Sequence, residues 1–377
     1  MKSDTVHIAS LVSYKFLPAQ MGGQKCIALF NRYLSKTNNL VCVGVKENET
    51  NYEQEYPIHP LLSNSKLRYI NLFYFFTLKR FIQQHKITHL IIEHPYLGWL
   101  GILLKWSCKV KLIVHSHNIE SERFKSLRKW WWGLLWHYEK FVHRNADYSF
   151  FIQGYDMNYA IEKFKLNTAK CMVVTYGTEL CAAPTPTEKN DAKQYLCKTH
   201  SIAESEKILL FNGSLGYAPN ADAVEAILHK INPVLLADDN FKYKIIICGN
   251  KLPVQYHGLA EYKEKNIIYA GFVEDIAIYF KGADIFINPV IEGGGIKTKV
   301  VEALGYDLSV VSTQSGATGI DVVETGKKMI LVADEDWNEF ARQVILMDSA
   351  VNIPVPFFDE FYWGNIIRKT EMVFNQS

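Results

Sequence analysis

The chain has 377 residues, long for a single hydrophobic core, and its 48% hydrophobic and 21% charged residues exclude disorder on a large scale. A formal net charge of +2 excludes nucleic-acid binding through bulk electrostatics, so any anion must be held locally. Seven cysteines, Cys26, Cys42, Cys108, Cys171, Cys181, Cys197 and Cys248, form no C-x-x-C pair, which suits free thiols in a reducing compartment and gives a zinc site no support.

The opening "MKSDTVHIASLVSYKF" has no uninterrupted apolar core of the kind a signal peptide needs, and no run reaches the roughly 18 apolar residues of a spanning helix. A cytoplasmic protein is expected. Short apolar, β-branched runs then alternate with segments of helical spacing. In the first half they are "VHIASL" (from Val6), "LVCVGV" (Leu40), "THLIIE" (Thr88), "VKLIVH" (Val110), "DYSFFI" (Asp147) and "CMVVT" (Cys171). In the second they are "KILLFNG" (Lys207), "YKIIICG" (Tyr243), "NIIYAG" (Asn266), "ADIFINP" (Ala283), "LSVVST" (Leu308) and "KMILV" (Lys328).

Continuous rather than alternating hydrophobicity suits strands covered on both faces, so the sequence predicts two parallel-sheet, Rossmann-like α/β domains with a ligand cleft at the carboxyl ends of their strands. "TYGTELCAAPTPTEKN", Thr175 to Asn190, reads as the linker. The domains are placed at 1–180 and 181–356. The aromatic-rich segment 357–377 either completes the second or crosses back to the first, and is assigned to the first.

Two stretches mix aromatic and basic residues, "KLRYINLFYFFTLKRF" (Lys66 to Phe81) and "RKWWWGLLWHYEKF" (Arg128 to Phe141). Packing on a sheet accounts for one face of each. Three successive tryptophans on a helix would lie about 100° apart and cannot all point inward, which leaves room for peripheral membrane contact. "KLIVHSHNIESERF" ends a strand with His115 and His117, and a histidine there can hydrogen-bond a sugar or a reacting centre. A loop histidine with no such role is the plainer reading, taken here for His115.

"NPVIEGGGIKTKVVEALG", Asn288 to Gly305, places glycines between a strand and a helix. Bare backbone there lets amides approach a ligand, the helix N-terminus adds about half a positive charge, and Lys297 and Lys299 add full ones. That suits a diphosphate. Glu302, about one turn along, is better matched to neutral hydroxyls such as a ribose diol. Spacing alone fits equally well a tight turn with a solvated Lys/Glu face.

The stretch "NPVIEGGGIKTKVVEALGYDLSVVSTQSGATGI" resembles the donor-binding signature of the retaining GT-B glycosyltransferases of family four, and the resemblance extends over most of Lys207 to Asp321. It implies transfer of a sugar from a UDP-, GDP- or dTDP-sugar to a glycan or lipid-linked acceptor in surface polysaccharide or glycoconjugate synthesis. No metal or other cofactor is implied. Family positions fall on Glu302 for the ribose, on Gly294, Gly295 and Ile296 for the phosphates and donor sugar, on Gly213 and Ser214 in the first turn, and on Gly271, Phe272 and Val273 for the base. Glu274 and Asp275 are expected to cap the following helix.

Two departures stand out. The family's first glutamate position is Gly294 here, leaving Glu292 as its nearest substitute. Where Arg and Lys are usual after the first glycine, this chain has Ser214, then Pro219 and Asn220, so Lys297, with Lys299 behind it, is the expected replacement. On the acceptor side the resemblance singles out Gly22 and Gly23 before a helix, and His117, with Glu120 as a further candidate. Catalysis is therefore expected from His117, Glu292 and Lys297. Alternatives are a nucleotide-sugar 2-epimerase on the same scaffold, or a non-catalytic nucleotide-sugar-binding module. The absence of G-x-G-x-x-G after the first strand disfavours a dehydrogenase, and that of G-x-x-x-x-G-K-[ST] excludes a P-loop enzyme.

Overall fold

The computed structural model describes residues 6–19, 21–49 and 55–374. These form two compact units, one running to Tyr176 and resuming at Trp363, the other spanning Gly177–Tyr362.

The first unit holds β1 (His7–Val12), β2 (Asn39–Val45), β3 (Ile58–Leu62), β4 (His89–Glu93), β5 (Lys111–Ser116), β6 (Tyr148–Phe151) and β7 (Cys171–Val173). They lie in the order β3-β2-β1-β4-β5-β6-β7, every pair parallel. The apolar runs become buried strands because helices cover both faces: Ile91 and Ile113 are inaccessible to solvent. β3, "IHPLL", is absent from the sequence reading. Its Pro60 donates no ladder hydrogen bond, which an edge strand tolerates.

The second unit holds β8 (Lys207–Asn212), β9 (Tyr243–Cys248), β10 (Ile267–Gly271), β11 (Ile285–Asn288), β12 (Ser309–Thr313) and β13 (Met329–Val332), ordered β10-β9-β8-β11-β12-β13. In each sheet the winding reverses once, between β1 and β4 and between β8 and β11. Loops leave in opposite directions at such a point and open a crevice at the strands' carboxyl ends.

Three local expectations need correction. The segment read as a linker is helical from Pro186, where the Pro186–His200 helix starts behind a reciprocal Thr185–Glu188 capping pair. It buries only Ala192, Leu196 and Cys197, too few to show an apolar period. Gly22 and Gly23 do not precede their helix but open it, Gly22–Ser35. Trp130 and Trp131 precede the Trp132–Asn145 helix, so a turn rather than helical spacing separates the tryptophans; Trp130 is exposed and the other two are half-buried.

The aromatic tail segment breaks at Tyr362 into helices Val355–Phe361 and Trp363–Phe374. The second packs within the first unit, where Trp363 is fully buried against the rings of Tyr33 and Tyr176 and Phe374 meets His89.

Candidate active site

In the second unit, the winding reversal brings together the turn after β8 and the loop after β11. Gly213 is required in the first, because a Cβ there would lie 2.6 Å from Asn220 Nδ2. Asn220 donates through Nδ2 to Ser214 O at 3.0 Å, closing the turn. In the second, Gly293 and Gly295 adopt φ of 95° and 73°, a left-handed conformation that glycine takes without cost. Gly294, between them, is exposed, and Ile296 is half-buried ahead of the Thr298–Gly305 helix, whose N-cap position is Lys297 with no side-chain capping bond.

The two lysines divide the corner between them. Lys297 Nζ donates to the carbonyls of Gly293 and Gly295, tying down the glycine loop. Lys299 Nζ reaches the β8 turn, donating to Asn220 Oδ1 at 3.0 Å and Asn212 O at 3.3 Å, with the Phe211 ring 4.2 Å away. Among the described residues neither ammonium pairs with a carboxylate. Burial lowers Lys297 to about 8; burial and then the charge of Lys297 lower Lys299 to about 7. Two desolvated cations without a counter-ion favour a polyanion, and the buried, unpartnered Oδ1 atoms of Asn212 and Asn288 lie at the same strand ends.

Glu302 is half-buried on the Thr298–Gly305 helix. Glu292 is exposed and faces a small cavity shared with Pro219, Asp222 and Trp337. Gly271, with φ of 69°, ends β10 at the sheet edge, two strands from β8, and its carbonyl accepts from Gly249 N at 2.7 Å. Phe272 beside it is exposed and Val273 half-buried. Asp275 caps the Ile276–Gly282 helix through Ala277 N, whereas Glu274 shows no such cap.

In the first unit, the reversal between β1 and β4 gathers a buried polar cluster. Register pairs Glu93 with His115 across β4 and β5. The Glu93 carboxylate accepts from His115 Nδ1 at 3.0 Å and from His117 Nε2 at 2.9 Å. Burial alone would raise Glu93, but the two imidazoles outweigh it and hold the acid at about 2. The buried Nε2 of His115 has no hydrogen-bond partner among the described residues.

Glu120 accepts from His94 Nδ1 at 3.1 Å, Tyr96 OH at 2.6 Å and Arg123 at 3.1 Å, and His94 Nε2 faces Tyr14 OH at 3.2 Å. The Tyr14 hydroxyl lies 4.0 Å from where a Cβ on Gly23 would stand, so Gly23 adjoins this cluster. Glu93, His115 and His117 each offer a potential metal-ligand atom within 4.8 Å of the others, and the carboxylate is bonded to His115 Nδ1 and His117 Nε2.

Sequence reasoning missed Glu93, His94 and Tyr14. An acid closing the apolar run "HLIIE" was the available signal, since a charge is rarely buried without a partner.

Residues 206–347 match the family model for group 1 glycosyltransferases, and residues 22–180 match that for glycosyltransferase family 4. An uncharacterised 44.6 kDa protein in the cps region of Klebsiella pneumoniae is 29% identical over 147 residues, 36% of this chain and 36% of that one. The chain thus matches about a third of that relative's length. A glycosyltransferase from Rickettsia africae superposes with a TM-score of 0.71 at 14% identity over 98% of both chains. Anabaena HepE in complex with UDP gives 0.73 at 12% identity over 98% of this chain and 99% of that one. At such identities the likeness is one of fold, while the two family models supply the kinship: the chain belongs to the group 1, family 4 glycosyltransferases of GT-B fold.

Proposed function

We propose that the chain transfers a sugar from a nucleoside-diphosphate sugar to a glycan or lipid-linked saccharide, with retention of anomeric configuration. The observation that carries this reading is the pair Lys297 and Lys299, two half-buried lysines on a glycine loop and helix N-terminus whose pKa values burial lowers and which have no carboxylate partner among the described residues. Negative charge grows on the leaving diphosphate as the glycosidic bond breaks, and preorganised cations and amides there lower the barrier in the role a divalent ion could otherwise take. Glu302 holds the ribose, the Gly271–Val273 loop the base, and Glu292 a sugar hydroxyl. The first unit receives the acceptor, with His117 touching substrate.

Surface polysaccharide synthesis is supported by the Klebsiella relative's place in the cps region. A membrane surface as the workplace is supported by Leu67, Ile70, Leu72, Phe73 and Phe76, all exposed beside Lys66, Lys79 and Arg80, in a stretch with no acid from Tyr56 to Ile92. No described helix is long and apolar enough to cross a membrane.

Thermal melts with UDP-, GDP- and dTDP-sugars test the donor assignment. One base should raise the melting temperature, since a ligand at 100 times its Kd contributes roughly 2.7 kcal/mol. No shift with any of the three at millimolar concentration removes it. Release of free nucleoside diphosphate only when acceptor is added supports transfer, and loss of the donor anomer in the product removes retention.

A further inference from the structure

Adjacent residues of a strand point to opposite faces, yet Glu93 and His94 both reach His117. Glu93 Oε2 is 2.9 Å from its Nε2, and the His94 ring centroid is 4.4 Å from its own. The backbone permits this because His94 sits at φ 64° and ψ 156°, a region that only glycine enters readily. Side chains from both sides hold His94 there: Glu120 binds its Nδ1 and Tyr14 its Nε2. A strained residue at a strand's carboxyl end, braced at both ring nitrogens, marks a place where geometry matters more than backbone ease.

We propose that Glu93 is the positioning residue of His117: by accepting the Nε2 proton of a neutral imidazole it fixes one tautomer and leaves Nδ1 to accept a hydrogen bond from a hydroxyl of the sugar substrate. This rests on the reading that His117 touches substrate. Burial of His117, with the neighbouring His94 adding to it, lowers its pKa to about 4, so the ring is uncharged at neutral pH and has a single donor to give. That donor is committed to Glu93. His115 binds the same carboxylate through Nδ1, which stops Glu93 from turning away. The ring therefore selects for O–H in the substrate and against a group with lone pairs alone, such as fluorine in place of that hydroxyl.

The test combines nitrogen-15 spectra of the histidine rings, assigned with His117→Gln, and steady-state kinetics. The wild-type protein should show His117 protonated at Nε2 and bare at Nδ1, and Glu93→Gln should mix the tautomers. Glu93→Gln should also lower kcat roughly 10- to 100-fold, as loss of a carboxylate that orients a histidine does elsewhere, with the donor KM little changed at a temperature where the variant is folded. A proton on Nδ1 in the wild-type spectrum overturns the proposal without any variant. So does unaltered turnover in Glu93→Gln when His117→Ala is inactive. Full turnover in His117→Ala overturns the underlying reading as well.

Discussion

Lys299 Nζ stands 3.0 Å from Asn220 Oδ1, a residue 79 positions earlier in the chain, so a cation carried on the Thr298–Gly305 helix serves the turn after β8. The resemblance places Arg and Lys on that turn, where this sequence has Ser214 and Asn220. Lys299 brings an ammonium group to that turn from the opposite side of the reversal between β8 and β11. Lys299→Met should therefore weaken nucleoside diphosphate binding by about 1.5–3 kcal/mol, the value of a hydrogen bond to a charged group. The melting temperature should stay level or rise, because an unpaired buried cation is removed. Calorimetric titration with unchanged affinity would refute the assignment.

The same burial sets a pH dependence. Lys299 holds its proton only up to about 7 and Lys297 up to about 8 in the folded chain, against an ordinary 10.5. Nucleoside diphosphate affinity should thus weaken as pH rises through 7 and 8, where Lys299 and then Lys297 lose their protons. Between about 7 and 10.5 the unfolded chain binds more protons at these lysines than the folded one, so their contribution to stability rises with pH across that window. Affinity that holds constant to pH 9 would show that the lysines do not meet the ligand.

Glu302→Ala should cost about 1–3 kcal/mol in affinity for the nucleoside diphosphate and much less for inorganic diphosphate, which has no ribose. Equal losses for both ligands would place Glu302 elsewhere. Because Glu302 is half-buried on a short helix, near-ultraviolet circular dichroism should confirm that packing is retained.

Phe73 and Phe76, both exposed at the start of the Phe73–Gln84 helix, should govern vesicle binding. Sedimentation with vesicles containing anionic lipid should carry down the wild-type protein. Phe73→Ser with Phe76→Ser should lose about 1.5–3 kcal/mol per ring removed from the interface. Equal sedimentation of both proteins, or none of either, counts against a membrane role for this face.

Trp363→Ala should destabilise the first unit by roughly 3–5 kcal/mol, as removal of a fully buried tryptophan leaves a large void beside Tyr33 and Tyr176. Denaturant unfolding followed by the remaining tryptophans reads the loss. A change under 1 kcal/mol would mean that the Trp363–Phe374 helix adds little to that core.

Twelve apolar runs were legible as strands because parallel sheets buried on both faces leave continuous hydrophobicity in the sequence. β3 escaped because an edge strand carrying Pro60 and His59 leaves no such run. The Pro186–His200 helix escaped because it buries one narrow stripe. At the candidate site, the glycine loop and the two lysines were visible from local spacing. Their division of labour was not, since the contact of Lys299 with Asn220 depends on which strands become neighbours. Glu93 was hidden for the same reason: register across β4 and β5, rather than proximity in sequence, sets it beside His115.

The return of the Trp363–Phe374 helix to the first unit has a consequence for how the molecule is made. On the ribosome, the first seven strands emerge long before the tryptophan that fills their core, with all of Gly177–Tyr362 still to be translated. The earlier half must wait with its docking groove open to water, while the later half can close on itself as soon as it appears.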